Sequence, residues 1–111
     1  MAKNVTDVTE ATFQAEVLEA QVPVVVDFWA SWCGPCLAMA PVLEQYAAEK
    51  SGTVKVVKVN VDDNAAVATR YGVMSIPTFL IFSGGQVVGQ LVGAMPKDAF
   101  AARVDAALGK K

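Results

Sequence analysis

The chain has no histidine and only two cysteines in 111 residues. Without histidine, a base for proton transfer has to be sought among the carboxylates. A closed zinc site takes four nitrogen or sulfur ligands, and its usual signature is a second Cys or His pair elsewhere in the chain. None exists here, so a metal centre would need two chains to share an ion or an iron–sulfur cluster. Charge of one sign is scarce as well. Nine Lys and Arg against eleven Asp and Glu leave a net charge of −2, with no basic footprint for nucleic acid. No apolar run approaches the roughly 18 residues of a membrane span. The opening Met1-Ala2-Lys3-Asn4-Val5-Thr6-Asp7 lacks the apolar h-region of a signal peptide. Repeats, low-complexity stretches and linkers are also missing. The expectation is one soluble, cytoplasmic domain over residues 1–111, binding neither nucleic acid nor membrane.

What is present is concentrated. Both cysteines lie in Trp32-Cys33-Gly34-Pro35-Cys36, just after the run Val24-Val25-Val26-Asp27-Phe28-Trp29. Beyond them, Leu37, Ala40, Leu43, Ala47 and Ala48 recur at helical spacing, which predicts a helix over Cys36 to Lys50. Further strands are expected at Asn4 to Val8, Val24 to Trp29, Val54 to Val61, Thr78 to Phe82 and Gln86 to Val92. Further helices are expected at Phe13 to Glu19, Ala65 to Tyr71 and Lys97 to Leu108. The order β-α-β-α-β-α-β-β-α is an α/β pattern: early alternation implies parallel strands with right-handed crossovers, and Ser83-Gly84-Gly85-Gln86 implies a tight hairpin. The sheet should therefore be mixed. Asp63 or Asn64 can cap the third helix and Gly72 can stop it. Pro96 suits the first turn of the last helix, whose stripe is Phe100, Val104 and Leu108.

A C-x-x-C pair at a strand-to-helix corner reads as a thiol/disulfide redox centre. A purely structural role fits less well, because one bridge closing so small a loop removes little denatured-state entropy. Exchange needs a thiolate, and a free thiol with a pKa of about 8.5 is mostly protonated at neutral pH. At the helix N-cap the Cys33 sulfur can accept from the backbone N–H of Cys36 and feel the positive end of the helix dipole. Pro35 is tolerated there because first-turn N–H groups have no intrahelical partner. Cys36, one turn deeper, is the resolving thiol that displaces the reduced target from a mixed disulfide on Cys33. Asp27, an acid inside an apolar strand, is the candidate base, since burial raises a carboxyl pKa toward neutrality. The bland alternative is an Asp at a strand end facing water.

Phe28-Trp29-Ala30-Ser31-Trp32-Cys33-Gly34-Pro35-Cys36, with Asp27, Pro41, Ile76-Pro77-Thr78, Gly84-Gly85 and Gly93, closely resembles the thioredoxin family over essentially the whole chain. The resemblance implies the thioredoxin fold, a central mixed five-stranded sheet flanked by four helices. It also implies a general protein-disulfide reductase with no bound cofactor or metal, acting as a monomer on disulfide-containing target proteins. Its electrons would come from NADPH through a separate flavoenzyme, thioredoxin reductase. By the same resemblance the Lys58 ammonium approaches Asp27 and modulates it, although an exposed strand lysine is the plainer reading of the residue alone. The Ile76-Pro77 bond is implied to be cis and to lie against the Cys33 sulfur, where proline at the start of a strand is otherwise ordinary punctuation. Ile76 would then pair its backbone with an extended target. Trp32, Gly34, Pro35, Val92, Gly93 and Ala94 would complete an apolar collar, with Trp29 packed beneath it. Pro41 is expected to kink its helix and carries no chemistry. One residue departs from the family: many members carry Lys or Arg after the second cysteine, and this chain has Leu37. A dedicated oxidoreductase for a few targets, or a non-catalytic binding subunit using the collar, are the alternative readings.

Overall fold

A computed structural model describes residues 4–110. Five strands form one sheet: β1 (Val5–Asp7), β2 (Val24–Trp29), β3 (Lys55–Asn60), β4 (Thr78–Ser83) and β5 (Gln86–Val92). Their order across the sheet is β1-β3-β2-β4-β5. β3 runs parallel to both β1 and β2, whereas β4 and β5 are antiparallel, so the sheet is mixed as the pattern of elements requires. Three α-helices, α1 (Gly34–Glu49), α2 (Ala65–Arg70) and α3 (Lys97–Ala107), and one π-helical turn, Gln14–Leu18, cover it.

Strand parity divides the core. Val25 of β2 faces α1 and α3, together with Val56, Phe79, Ile81 and Leu91 from the other strands. Val24, Val26 and Phe28 face the opposite layer, against Phe13, Val17, Val67 and Phe82. Asp27 has the parity of Val25 and therefore points under α1, where a period-2 strand leaves it no route to solvent. α3 closes that layer with Phe100, whose ring meets Tyr46 and Phe79 edge-on at centroid distances of 5.2 and 5.1 Å. Burial, and secondarily Asp105, pushes the Tyr46 phenol up to about 12, so it stays neutral.

Several expected details fall differently. The segment expected as an α-helix over Phe13 to Glu19 is a single π turn, closed by the Glu19 N–H donating to the Gln14 carbonyl at 2.9 Å. With one buried residue, Val17, it has no apolar stripe to extend. The buried stripe of α1 is Cys36, Met39, Leu43, Tyr46 and Ala47, not the Leu37, Ala40 and Ala48 line. The helix is rotated so that the large Met39 and Tyr46 fill the space over the sheet, leaving Leu37 and Ala48 exposed. Pro41 stands inside this helix. Asn64 occupies the α2 N-cap position, but its side chain makes no cap bond. Its Oδ1 instead accepts from the Glu10 N–H, and the Glu10 carboxylate accepts from the Ala66 N–H at 2.9 Å, so the orphan donor is satisfied from fifty-six residues away. Pro96 is the N-cap of α3, one place before its first turn.

One turn aims a loop that borders the cysteines, and another closes the far end of the sheet. After α2, Gly72 at φ +66° allows a Schellman ending: the Val73 N–H donates to the Ala68 carbonyl and the Gly72 N–H to that of Thr69. That ending sends Val73–Pro77 back across the end of the sheet. At the hairpin, Gly84 and Gly85 both have positive φ, as a two-residue type I′ connection needs. A Cβ on Gly85 would lie 2.9 Å from the Leu18 carbonyl oxygen, so glycine lets the hairpin backbone approach the π turn closely.

Candidate active site

β2 delivers the chain to the carboxyl end of the sheet, where Ala30 to Cys33 turn it into α1. Cys33 is the N-cap residue, with extended φ −90° and ψ 106°, and its sulfur accepts from the Cys36 N–H at 3.2 Å. Pro35 is in the first turn. Cys33 and Cys36 form a disulfide with their Cα atoms 5.2 Å apart. Both are buried residues, packed with Ala30 against Trp29, Val61 and Ile76.

Beneath the sulfurs is a cavity of about 40 Å³, lined by Asp27, Cys36, Lys58, Trp29, Leu37, Ala40, Leu43 and Val5. It has room for a bridging water. Asp27 is 4% exposed and its Oδ1 has no hydrogen-bond partner among the described residues. Burial raises its pKa from 3.8 to about 7, and the positive charge of Lys58 holds it from rising further. Lys58 is the register partner of Asp27 on β3, and on its other side of Asp7 on β1. Its ammonium lies 4.1 Å above the centroid of the Trp29 ring. The lysine therefore acts on Asp27 through space while it rests on an aromatic face.

Above the sulfurs the Ile76–Pro77 peptide is cis, and the Ile76 carbonyl oxygen lies 3.9 Å from the Cys33 sulfur. The Gly93 N–H donates to the Pro77 carbonyl at 2.9 Å, which pins Val92, Gly93 and Ala94 beside that loop. Trp32, Leu37 and Val92 are half-exposed or more, and Gly34 and Pro35 are exposed. A Cβ on Gly34 would touch nothing, so the surface beside the buried pair is uncovered there. The structure thus gathers Cys33, Cys36, Trp32, Gly34, Pro35, Ile76, Pro77, Val92, Gly93 and Ala94 at one end of the sheet, with Asp27 and Lys58 underneath.

Two residues at the site escape sequence reasoning. Asp62 accepts from the Trp32 indole N–H at 2.8 Å and anchors the exposed ring of the residue next to Cys33. Thirty residues separate them, and the only local signal was an acid at a strand end. Met74, almost fully exposed, shares a groove with Trp32, Val61, Val73, Ser75 and Ile76. Among the described residues, no group of three His, Cys, Asp or Glu side chains could hold a metal ion, and no helix is long and apolar enough to cross a membrane.

The comparison with known proteins agrees with this geometry. A sequence model of the thioredoxin family matches residues 4–106. The chain is 56% identical over 98 residues to thioredoxin 1 of Synechococcus elongatus, covering 88% of this chain and 92% of that protein. It is 58% identical over 90 residues to thioredoxin 1 of a Nostoc species, covering 81% and 84%. It is 52% identical over 99 residues to a thioredoxin of Streptomyces clavuligerus, covering 89% and 92%.

Proposed function

The chain belongs to the thioredoxin family and is a thiol–disulfide oxidoreductase, and from that premise we propose that it serves as a general protein-disulfide reductase. The observation that carries the reading is the Cys33 sulfur at the cap of α1, accepting from the Cys36 N–H. In the reduced protein that N–H and the helix end favour the Cys33 thiolate over the thiol. The thiolate attacks one sulfur of a target disulfide, and the other target sulfur leaves. The target strand lies along Ile76, whose backbone is available for β-augmentation, while the collar of Trp32, Val92, Gly93 and Ala94 shields the sulfurs from solvent.

Cys36 then attacks the Cys33 sulfur of the mixed disulfide, and the reduced target departs. Its proton needs an acceptor, and Asp27, lining the same cavity with a pKa of about 7, has the matching basicity. The role of Lys58 is to keep Asp27 from becoming a permanently neutral acid. The chain binds no cofactor of its own; a separate reductase drawing on NADPH would return the Cys33–Cys36 disulfide to the dithiol. We place the protein in the cytoplasm as a monomer, where disulfides cycle rather than persist.

Insulin reduction coupled to NADPH and a thioredoxin reductase is the test. Catalytic turnover with insulin supports the reading. Turnover with a small aromatic disulfide but not with insulin would limit the chain to dedicated targets, and no turnover with either would make it a binding protein.

A further inference from the structure

We infer that Met74 is a redox-modification site: it is the most exposed methionine of residues 4–110 and open to hydroperoxides, and its sulfoxide weakens docking of protein targets. This deepens, and rests on, the general-reductase reading. The three methionines in the described region are treated differently by the fold. Met39 is 1% exposed, and its sulfur already accepts from the Met95 N–H at 3.4 Å. Met95 is partly buried against the same core. Met74 is 96% exposed, on the loop that the Gly72 ending of α2 sends past the cysteines. No core contact requires an apolar residue there, yet the side chain borders a groove shared with Trp32 and Ile76. A target reaching Cys33 passes this groove, because the Ile76 carbonyl lies 3.9 Å from that sulfur.

The reaction balances with a hydroperoxide alone. The Met74 sulfur displaces the O–O bond and takes one oxygen, being oxidised by two electrons, while the peroxide is reduced to water or an alcohol. The product exchanges a soft apolar tip for a polar, hydrogen-bonding one, which loses hydration when a target covers it. In the disulfide form, Cys33 and Cys36 hold no thiolate to compete for the oxidant.

The test oxidises the disulfide form of the full chain with hydrogen peroxide, maps the added oxygen by peptide mass spectrometry, and removes the peroxide before assay. The expected results are oxygen on Met74 well before Met39 or Met95, and a rise of about fivefold in KM for insulin. The rate with a small aromatic disulfide should stay within about twofold, since that substrate needs little of the groove. Peroxide treatment of Met74→Leu should leave that variant's own KM unmoved. Equal oxidation of Met39, an unmoved KM in the Met74 sulfoxide, or a peroxide-dependent KM in Met74→Leu would each overturn the inference. Untreated protein that turns over the small disulfide but not insulin would instead overturn the reading on which it rests, with the mapping still deciding which methionine is open.

Discussion

Beneath the Cys33–Cys36 pair the fold buries a carboxyl group whose Oδ1 has no hydrogen-bond partner among the described residues; above the pair it exposes the apolar side chains of Trp32, Met74 and Val92. The lower region is enclosed by β2, β3 and α1, and its properties follow from desolvation and the Lys58 cation. The upper region is made of loops held by backbone hydrogen bonds, and its properties follow from shape and exposure. On the proposed reading, proton handling and target docking lie on opposite sides of the disulfide. A substitution below should change rates with every substrate and the dependence on pH, whereas one above should change KM and sort large substrates from small.

The sharpest way to break that division is at the sulfurs themselves. Cys33→Ser should lower disulfide reduction by about a thousandfold or more, because a serine hydroxyl at a helix N-terminus is not a nucleophile at neutral pH. Cys36→Ser should still attack once and accumulate mixed disulfides, visible on non-reducing gels. If Cys33→Ser trapped targets, the roles of the two sulfurs would be reversed.

Next in size is Asp27, which tests the lower region alone. Its carboxyl has a pKa of about 7 in the folded state against 3.8 otherwise, so the folded state holds a proton that the unfolded state has released between those values. Stability therefore falls as pH rises from about 4 to about 7, by roughly 4 kcal/mol in total. Asp27→Asn, a neutral isostere, should flatten this dependence, be more stable than the parent at pH 8, and differ little at pH 4. It should also slow release of target from the mixed disulfide. Denaturant melts at pH 4, 6 and 8 beside single-turnover kinetics decide the matter, and parallel pH profiles for parent and variant would show Asp27 to be ionised throughout.

A smaller effect should come from the upper region. Asp62→Ala removes the acceptor of the Trp32 indole N–H and frees the ring. An exposed charge-assisted bond of this kind is worth about 1 kcal/mol, so KM for insulin should rise severalfold while the rate with a small disulfide holds. An equal fall with both substrates would mean that Trp32 governs the sulfur rather than the target.

The smallest expected effect belongs to Leu37, which sits between the regions: it lines the cavity and is 52% exposed. Leu37→Lys should lower the Cys33 pKa by less than about one unit, fading at high salt, because an exposed cation acts through a high dielectric. Thiolate titration at two salt concentrations checks this. A large shift that survives high salt would place the new ammonium in the cavity and join what the comparison separates.

Local rules reached much of this molecule, and where they failed the reason is the same each time. The order of strands and helices, the Gly84–Gly85 hairpin, the Gly72 stop and the cap geometry of Cys33 depend on residues within a few places of one another, so period, turn chemistry and capping propensity were sufficient. Asp27 was legible because an acid inside an apolar strand has few ways to reach water. The rotation of α1, which buries Met39 and Tyr46 in place of Leu37 and Ala48, was set by the volume over the sheet and by Phe100 from the far end of the chain. The capping of α2 by Glu10, the hold of Asp62 on Trp32 and the seat of Lys58 on Trp29 join residues that no local pattern connects. The sequence by itself determined the elements and the chemistry of the Cys pair, because backbone propensities and side-chain reactivity are local properties. Only the tertiary structure decided which side chains share a cavity, which charge Asp27 feels and that Met74 faces solvent, because burial and long-range electrostatics exist only once distant segments are brought together.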